Sequence, residues 1–219
     1  MRLYDRFRNW LTRPPRRARP ARRQHVRLGL LQLEDRVVLS NYTAATVPDL
    51  IADIHAANRA GGSNTIALAA GAAFTLTAVD NTTDGATGLP VIAAGNNLTI
   101  VGNGDNIQRS TANGTPAFRL FDVAGGASLT LGSLTLQNGL AQGNGVAAEG
   151  GALLNQGSLT LNGVTVQNNT AQGQLQYPIV NGQANGTAAG GGIYSSGTLT
   201  LNGVTVQNNT AQGLSLIHI

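Results

Sequence analysis

The fifteen-residue phrase LTLNGVTVQNNTAQG occurs twice, at residues 159–173 and 199–213, without one difference. In an irregular core each position meets a different neighbour, so exact repetition has no use there. In a stack, where like lies on like, it does. Aligning the Leu-Thr pairs puts Leu98, Leu129, Leu159 and Leu199 in register at steps of 31, 30 and 40 residues. A period of this size is that of a solenoid, in which each repeat buries its apolar face against the next. Stacked strands lie about 4.8 Å apart, so equivalent side chains touch.

This arrangement predicts Leu129, Leu159 and Leu199 in one interior column, with Leu131, Leu161 and Leu201 beside it. Leu134, Val164 and Val204, then Leu136, Val166 and Val206, continue the filling. Thr130, Thr160 and Thr200 alternate outward, where β-branched side chains suit a sheet face. Asn138, Asn168 and Asn208 follow, with Asn169 and Asn209 next in line. At a corner an asparagine tolerates left-handed backbone and can bond a neighbouring turn, so the five are expected to form a structural asparagine ladder. A rival reading takes Asn162-Gly163 as a hairpin turn that pairs 159–161 antiparallel with 164–166. Arms of three residues make a weak hairpin, and the parallel stack is the stronger expectation.

Composition agrees with an all-β chain. Glycine is abundant at 29, aromatics make up 4%, charged residues 11%, and cysteine is absent, which rules out disulfides and cysteine-bound metal. The formal net charge of +4 averages two unlike segments. Residues 1–36 hold 11 of the 14 basic residues against Asp5, Glu34 and Asp35, whereas 40–213 hold three arginines and seven acids, a net of −4.

The leader opens with MRLYDRFRNWL, whose Leu3, Phe7, Trp10 and Leu11 fall at helical spacing opposite arginines, a pattern suited to an anionic membrane surface. RPPRRARPARRQ follows and cannot be a regular helix. Without interleaved aromatics, this run reads as the positive front of an export leader rather than a nucleic-acid site, and no nucleic-acid partner is expected. No segment reaches the ~20 apolar residues of a membrane-spanning helix.

In the body, TVPDLIADIHAANRAGG reads as the one helix. Thr46 and Asp49 have capping-box spacing, Pro48 fits the first turn, Leu50, Ile51, Ile54 and Ala57 form the apolar stripe, and Gly61-Gly62 end it. His55 reads as a helix-surface or packing residue. The division expected is a basic, disordered leader at 1–40, a capping helix within 41–62 and stacked coils over 63–213.

Three parts of the sequence resemble known families. LQLEDRVVLS, with Leu33-Glu34-Asp35-Arg36 and Leu39-Ser40, resembles the Leu-Glu-Asp-Arg N-terminal motif that follows arginine-rich leaders in planctomycete surface and secreted proteins. That resemblance implies secretion or display at the cell surface. GGAL at 150–153 with VQNN at 166–169, and GGGI at 190–193 with VQNN at 206–209, resemble the repeats of polymorphic outer-membrane proteins, with valine where that family prefers phenylalanine. This second resemblance implies a right-handed parallel β-helix at a bacterial surface, acting as an adhesin. The helix followed by GGSNTIALAAGAAFTL likewise resembles the N-terminal cap of planctomycete β-helix proteins, a cap that shields the first coil's edge.

Catalysis on such a scaffold needs paired carboxylates, or carboxylates holding calcium beside a base. Between 123 and 213 Glu149 is the only charged side chain and there is no histidine. Upstream stand Asp80, Asp84, Asp105, Asp122, Arg109 and Arg119, of which Asp105 and Arg109 share the loop GNGDNIQRS and read as a solvated turn. No catalytic residue, cofactor or metal is assigned. QLQYPIVNGQANGTAA at 174–189 lengthens the third step and predicts a protruding loop; Tyr177 in it and Tyr194 after it are the candidate ligand contacts. The expectation is a monomeric, secreted or surface β-helix with a structural or adhesive role, meeting extracellular polysaccharide or a surface protein. The alternative is part of a carbohydrate-active enzyme, a lyase or glycoside hydrolase, whose catalytic coils lie outside this sequence. The last six residues, LSLIHI, break the repeat and resemble a translated sequencing-library end, so the chain is expected to be a fragment.

Overall fold

The computed structural model describes residues 40–144, 147–174 and 186–213. The leader as far as residue 39, Tyr177 and the segment 214–219 lie outside the described residues. In chain order the elements are β1 (Ser40–Ala44), α1 (Val47–Ala60), β2 (Gly62–Leu68), β3 (Ala73–Leu76), β4 (Asn96–Val101), β5 (Asn106–Arg109) and β6 (Phe121–Val123). β7 (Ser128–Gly132), β8 (Thr135–Gln137), β9 (Leu140–Asn144), β10 (Ala148–Glu149) and β11 (Leu153–Asn155) follow. The repeats then contribute β12 (Ser158–Asn162), β13 (Thr165–Gln167), β14 (Thr170–Gln174), β15 (Ala188–Ala189), β16 (Ile193–Ser195), β17 (Thr198–Asn202), β18 (Thr205–Gln207) and β19 (Thr210–Gln212).

Every strand-to-strand pairing is parallel. One sheet runs β1-β2-β4-β7-β12-β17, a second β18-β13-β8-β5-β3, a third β16-β11-β6 and a fourth β19-β14-β9, with β10 and β15 as a short pair. Each pass of the chain therefore adds one strand to the same sheets. Register follows the sequence: Leu98, Leu129, Leu159 and Leu199 are successive partners, as are Ile100, Leu131, Leu161 and Leu201. The two identical phrases lie directly on each other, Leu159 on Leu199, Val166 on Val206 and Ala171 on Ala211. The hairpin alternative does not occur, since 159–161 and 164–166 belong to different sheets. One core joins the sheets: Leu98, Leu129 and Leu159 from the first, Phe74, Ile107, Leu136 and Val166 from the second, and Phe121 and Leu153 from the third.

α1 is cut by its ends. Thr46 accepts from the Asp49 backbone while the Asp49 carboxylate accepts from the Thr46 backbone, and Gly61 closes the helix at φ 62°. Leu50, Ile54 and Ala57 are buried in the common core, and His55 is exposed. Asn58 locks the helix down, donating to the Val91 carbonyl at 2.8 Å and accepting from the Ala93 amide at 3.0 Å. Ahead of the helix the sequence suggested no strand, yet Ser40–Ala44 pairs along β2 from Ser40 opposite Asn64 to Ala44 opposite Leu68.

The asparagines divide into two sets. Asn138, Asn168 and Asn208 take left-handed backbone, φ 63°, 56° and 54°, and turn each corner. Their neighbours Asn169 and Asn209 point inward and bond between passes. Asn169 Oδ1 accepts from the Gly139 amide at 2.8 Å, and its Nδ2 donates to the Gln167 carbonyl at 2.9 Å and to Asn209 Oδ1 at 2.9 Å. A further ladder of glutamines runs along the second sheet: Gln207 donates to Gln167, Gln167 to Gln137 and Gln137 to Gln108, at 2.8, 2.9 and 2.6 Å.

Asn169 is fully buried, so Asn169→Ala strands the Gly139 amide and should cost about 3 kcal/mol. Asn168→Gly keeps the left-handed turn and should change stability by only a few tenths of a kcal/mol. Urea denaturation of the two variants side by side checks this division of roles.

Close stacking also explains the glycines of GGAL. A Cβ on Gly151 would run into the Gly191 carbonyl of the next pass and the backbone of Thr170. Only glycine lets these turns touch.

Candidate functional site

Two places gather side chains beyond what packing needs. The first is a groove where three successive turns lie one above another. Its wall carries Ser128, Ser158 and Thr198, register partners in β7, β12 and β17, and its rim carries Gln156 and Ser196. It is a shallow, largely open depression of about 620 Å³. Only glycine fits this turn, because a Cβ on Gly157 would collide with the Ala124 and Ala127 carbonyls of the preceding pass. Asn155, fully buried, fixes the rim: its Nδ2 donates to Ser195 Oγ at 2.8 Å and to the Thr198 carbonyl at 2.9 Å, and its Oδ1 accepts from the Gly157 amide at 3.1 Å. The lining is hydroxyl, amide and backbone, with no ionisable group. Such a surface can exchange hydrogen bonds with neutral hydroxyl-rich polymers and offers no positive charge to an anion.

The second place is charged and closed. In β6, Phe121 and Val123 join the core, so alternation turns Asp122 to the other face, in one column with Leu154 and Tyr194. The loop over residues 80–88 folds back here. Thr87 and Arg119 bridge in parallel, the Arg119 amide donates to the Ala86 carbonyl, and the Arg119 guanidinium donates to the Asp84 carbonyl at 2.6 Å. Asp122 is fully buried, and neither carboxylate oxygen has a hydrogen-bond partner. Burial, reinforced by the charge of Asp84, pushes the Asp122 carboxyl up to about 6, against a weaker downward pull from Arg119. Burial also lowers the Arg119 guanidinium, opposed by the negative charges of Asp122, Asp84 and Glu149. A raised carboxyl beside an arginine is a pattern of functional sites, but Asp122 has no solvent-accessible surface through which a substrate could reach it.

The sequence candidates fall out as follows. Tyr194 is half-buried in β16, at the outer end of the Asp122 column, and does not line the hydroxyl groove, and Tyr177 lies outside the described residues. Asp105 and Arg109 do not meet. Nor is Asp105 a solvated turn residue: it is 6% exposed, and its Oδ1 accepts from the Gly71 amide of the preceding pass at 2.8 Å. Arg109 donates to the Pro116 and Thr115 carbonyls at 2.7 and 2.9 Å and lies over the Phe118 ring, 5.7 Å from its centre. Both hold loops. Sequence reasoning missed the groove, although its signal was present: Ser128, Ser158 and Thr198 each directly precede a leucine of the interior column.

Among the described residues no cluster of three or more histidines or carboxylates could hold a metal ion, and no helix is long and apolar enough to cross a membrane. No family model, curated protein or solved structure matches the chain.

Proposed function

We propose that this chain is a monomeric, secreted or cell-surface protein whose passes wind as a right-handed parallel β-helix, and that it serves a structural or adhesive role by holding neutral extracellular polysaccharide along its groove. The observation that carries the reading is the uncharged row of hydroxyls and amides at Ser128, Gln156, Ser158, Ser196 and Thr198, aligned across three passes. A sugar chain presents hydroxyls at regular intervals, and a stack presents partners at a regular spacing of about 4.8 Å. Right-handed winding is supported by the strong preference for that hand in parallel crossovers. Export is supported by the arginine-rich leader and the Leu-Glu-Asp-Arg motif, and surface adhesion by the resemblance of GGAL and VQNN to polymorphic outer-membrane protein repeats.

The second reading is part of a carbohydrate-active enzyme, a lyase or glycoside hydrolase, whose catalytic coils lie outside this sequence; the stack of parallel passes is the observation that favours it. Electrophoresis through gels containing a soluble neutral glucan or galactomannan separates the two. Adhesion predicts retarded migration that Ser158→Glu abolishes, with unfolding changed by less than about 1 kcal/mol because the site is at the surface. No retardation by either polymer, or retardation indifferent to Ser158→Glu, would contradict it. Release of reducing ends from either polymer would favour the enzyme.

A further inference from the structure

Asparagine followed by glycine is a chemically labile pair. The glycine amide nitrogen can attack the side-chain carbonyl carbon of the asparagine, closing a five-membered succinimide and releasing ammonia. Water then opens the ring at either carbonyl, leaving aspartate or isoaspartate, so the net change is amide plus water to acid plus ammonia. Glycine permits the ring because it has no Cβ to crowd it. The attack also needs the amide free of hydrogen bonds and the backbone free to turn. Four such pairs are described together with their surroundings: Asn103-Gly104, Asn113-Gly114, Asn138-Gly139 and Asn162-Gly163.

Stacking engages three of them. The Gly104 amide donates to the Ser133 carbonyl at 2.7 Å, the Gly139 amide to Asn169 Oδ1 at 2.8 Å and the Gly163 amide to the Asn202 carbonyl at 2.8 Å. Each acceptor lies one pass further along the stack. The asparagines are held as well. Asn103 Nδ2 donates to the Leu68 carbonyl at 2.8 Å, and Asn162 Oδ1 accepts from Asn202 at 2.8 Å. Asn138 sits in left-handed backbone at φ 63°, next to a Gly139 packed so closely that a Cβ there would run into the Gly151 carbonyl. Asn113-Gly114 is different. The pair forms the middle of a turn between β5 and β6, closed by the Thr115 amide on the Ala112 carbonyl at 3.1 Å. Both residues are exposed, and Gly114, at φ 87°, has nothing within 4 Å of where a Cβ would stand. Neither the Asn113 side chain nor the Gly114 amide has a hydrogen-bond partner among the described residues.

We propose that Asn113 is a site of spontaneous deamidation, and that the hydrogen bonds between passes spare the other three pairs. A reaction that must wait for a bonded amide to open is slowed by the small fraction of time the amide spends open. At Gly114 no such wait exists. The product changes the loop. Aspartate adds a negative charge to a body whose net charge is already −4, and isoaspartate routes the main chain through the side chain, lengthening the turn between Ala112 and Thr115. Arg109 grips the Thr115 and Pro116 carbonyls just beyond, which confines the altered geometry to the turn. The proposal does not depend on what the hydroxyl groove binds.

The test incubates the full chain at pH 8 and follows each pair by peptide mass spectrometry. Trypsin frees residues 110–119, which carry Asn113, and peptic fragments that include residue 158 or 198 tell Asn162 from Asn202. In the folded chain Asn113 should convert at least about tenfold faster than Asn103, Asn138 and Asn162, and in urea all four should convert at similar rates. Asn169→Ala removes the acceptor of the Gly139 amide, so conversion at Asn138 should rise about tenfold while Asn103 and Asn113 stay as they were. Three results would overturn the proposal: equal rates at the four pairs in the folded chain, no conversion at Asn113, or an Asn138 rate unmoved by Asn169→Ala.

Discussion

Leu159→Asp is expected to lower stability by about 4–5 kcal/mol, a large share of the total for a domain of this size. Leu159 has no solvent exposure and lies between Leu129 and Leu199 in the first sheet. The change removes a buried side chain, leaves a cavity and places a carboxylate where no cation or donor waits. Leu199→Asp is the internal control, because its sequence surroundings are identical over the fifteen-residue phrase. Leu199 is 37% exposed, so its carboxylate can reach water and the cost should be nearer 1 kcal/mol. Equal losses in urea denaturation would mean that the two phrases are not stacked in the order described.

Asp122→Asn should act in the opposite direction and only above acid pH. The folded carboxyl titrates at about 6, against an ordinary value of 3.8. Between those values the folded chain keeps a proton that the unfolded chain has lost, so stability falls as pH rises from about 4 to about 6, and the penalty is complete above that. A difference of about two pKa units corresponds to about 3 kcal/mol. Asparagine keeps the shape and removes the charge, and Arg119 retains the Asp84 carbonyl and the nearby charges of Asp84 and Glu149. The variant should therefore be about 3 kcal/mol more stable than the parent at pH 8 and equal to it at pH 4. A loss of stability at pH 8 would show that the ionised carboxylate is paired in the folded chain.

The interior of the stack was legible because leucine and valine alternate with threonine at fixed positions, and a repeated phrase can repeat its contacts only by stacking. The helix was legible from its ends, where Thr46, Asp49 and Gly61 have positional chemistry. What sequence reasoning missed depends on neighbours roughly 30 to 40 residues away. Asp105 sits among turn formers, and only the Gly71 amide 34 residues earlier makes it a buried acceptor. Gln137, Gln167 and Gln207 read as ordinary surface positions until parallel register brings their amides within hydrogen-bonding distance. Asn168 and Asn169 are one residue type in sequence, and backbone sign separates them into corner and ladder. Ser40–Ala44 has too few apolar residues to announce a strand and becomes one by pairing along the edge of β2. The Asp122 cluster exists because the 80–88 loop folds back over β6, which no local pattern encodes.

Parallel, in-register stacking of the repeats is the claim on which the groove and the ladders both rest. The chain has no cysteine, so pairs of cysteines can be labelled with pyrene without background. Thr160 and Thr200 are direct register partners on adjacent strands, about 4.8 Å apart, whereas Thr160 and Thr165 belong to different sheets. A hairpin at Asn162-Gly163 would reverse this and bring Thr160 opposite Thr165. The measurement is native-state excimer emission from the two labelled pairs. Stacking predicts strong emission from the Thr160–Thr200 pair and weaker emission from Thr160–Thr165, and the reverse order would contradict the account.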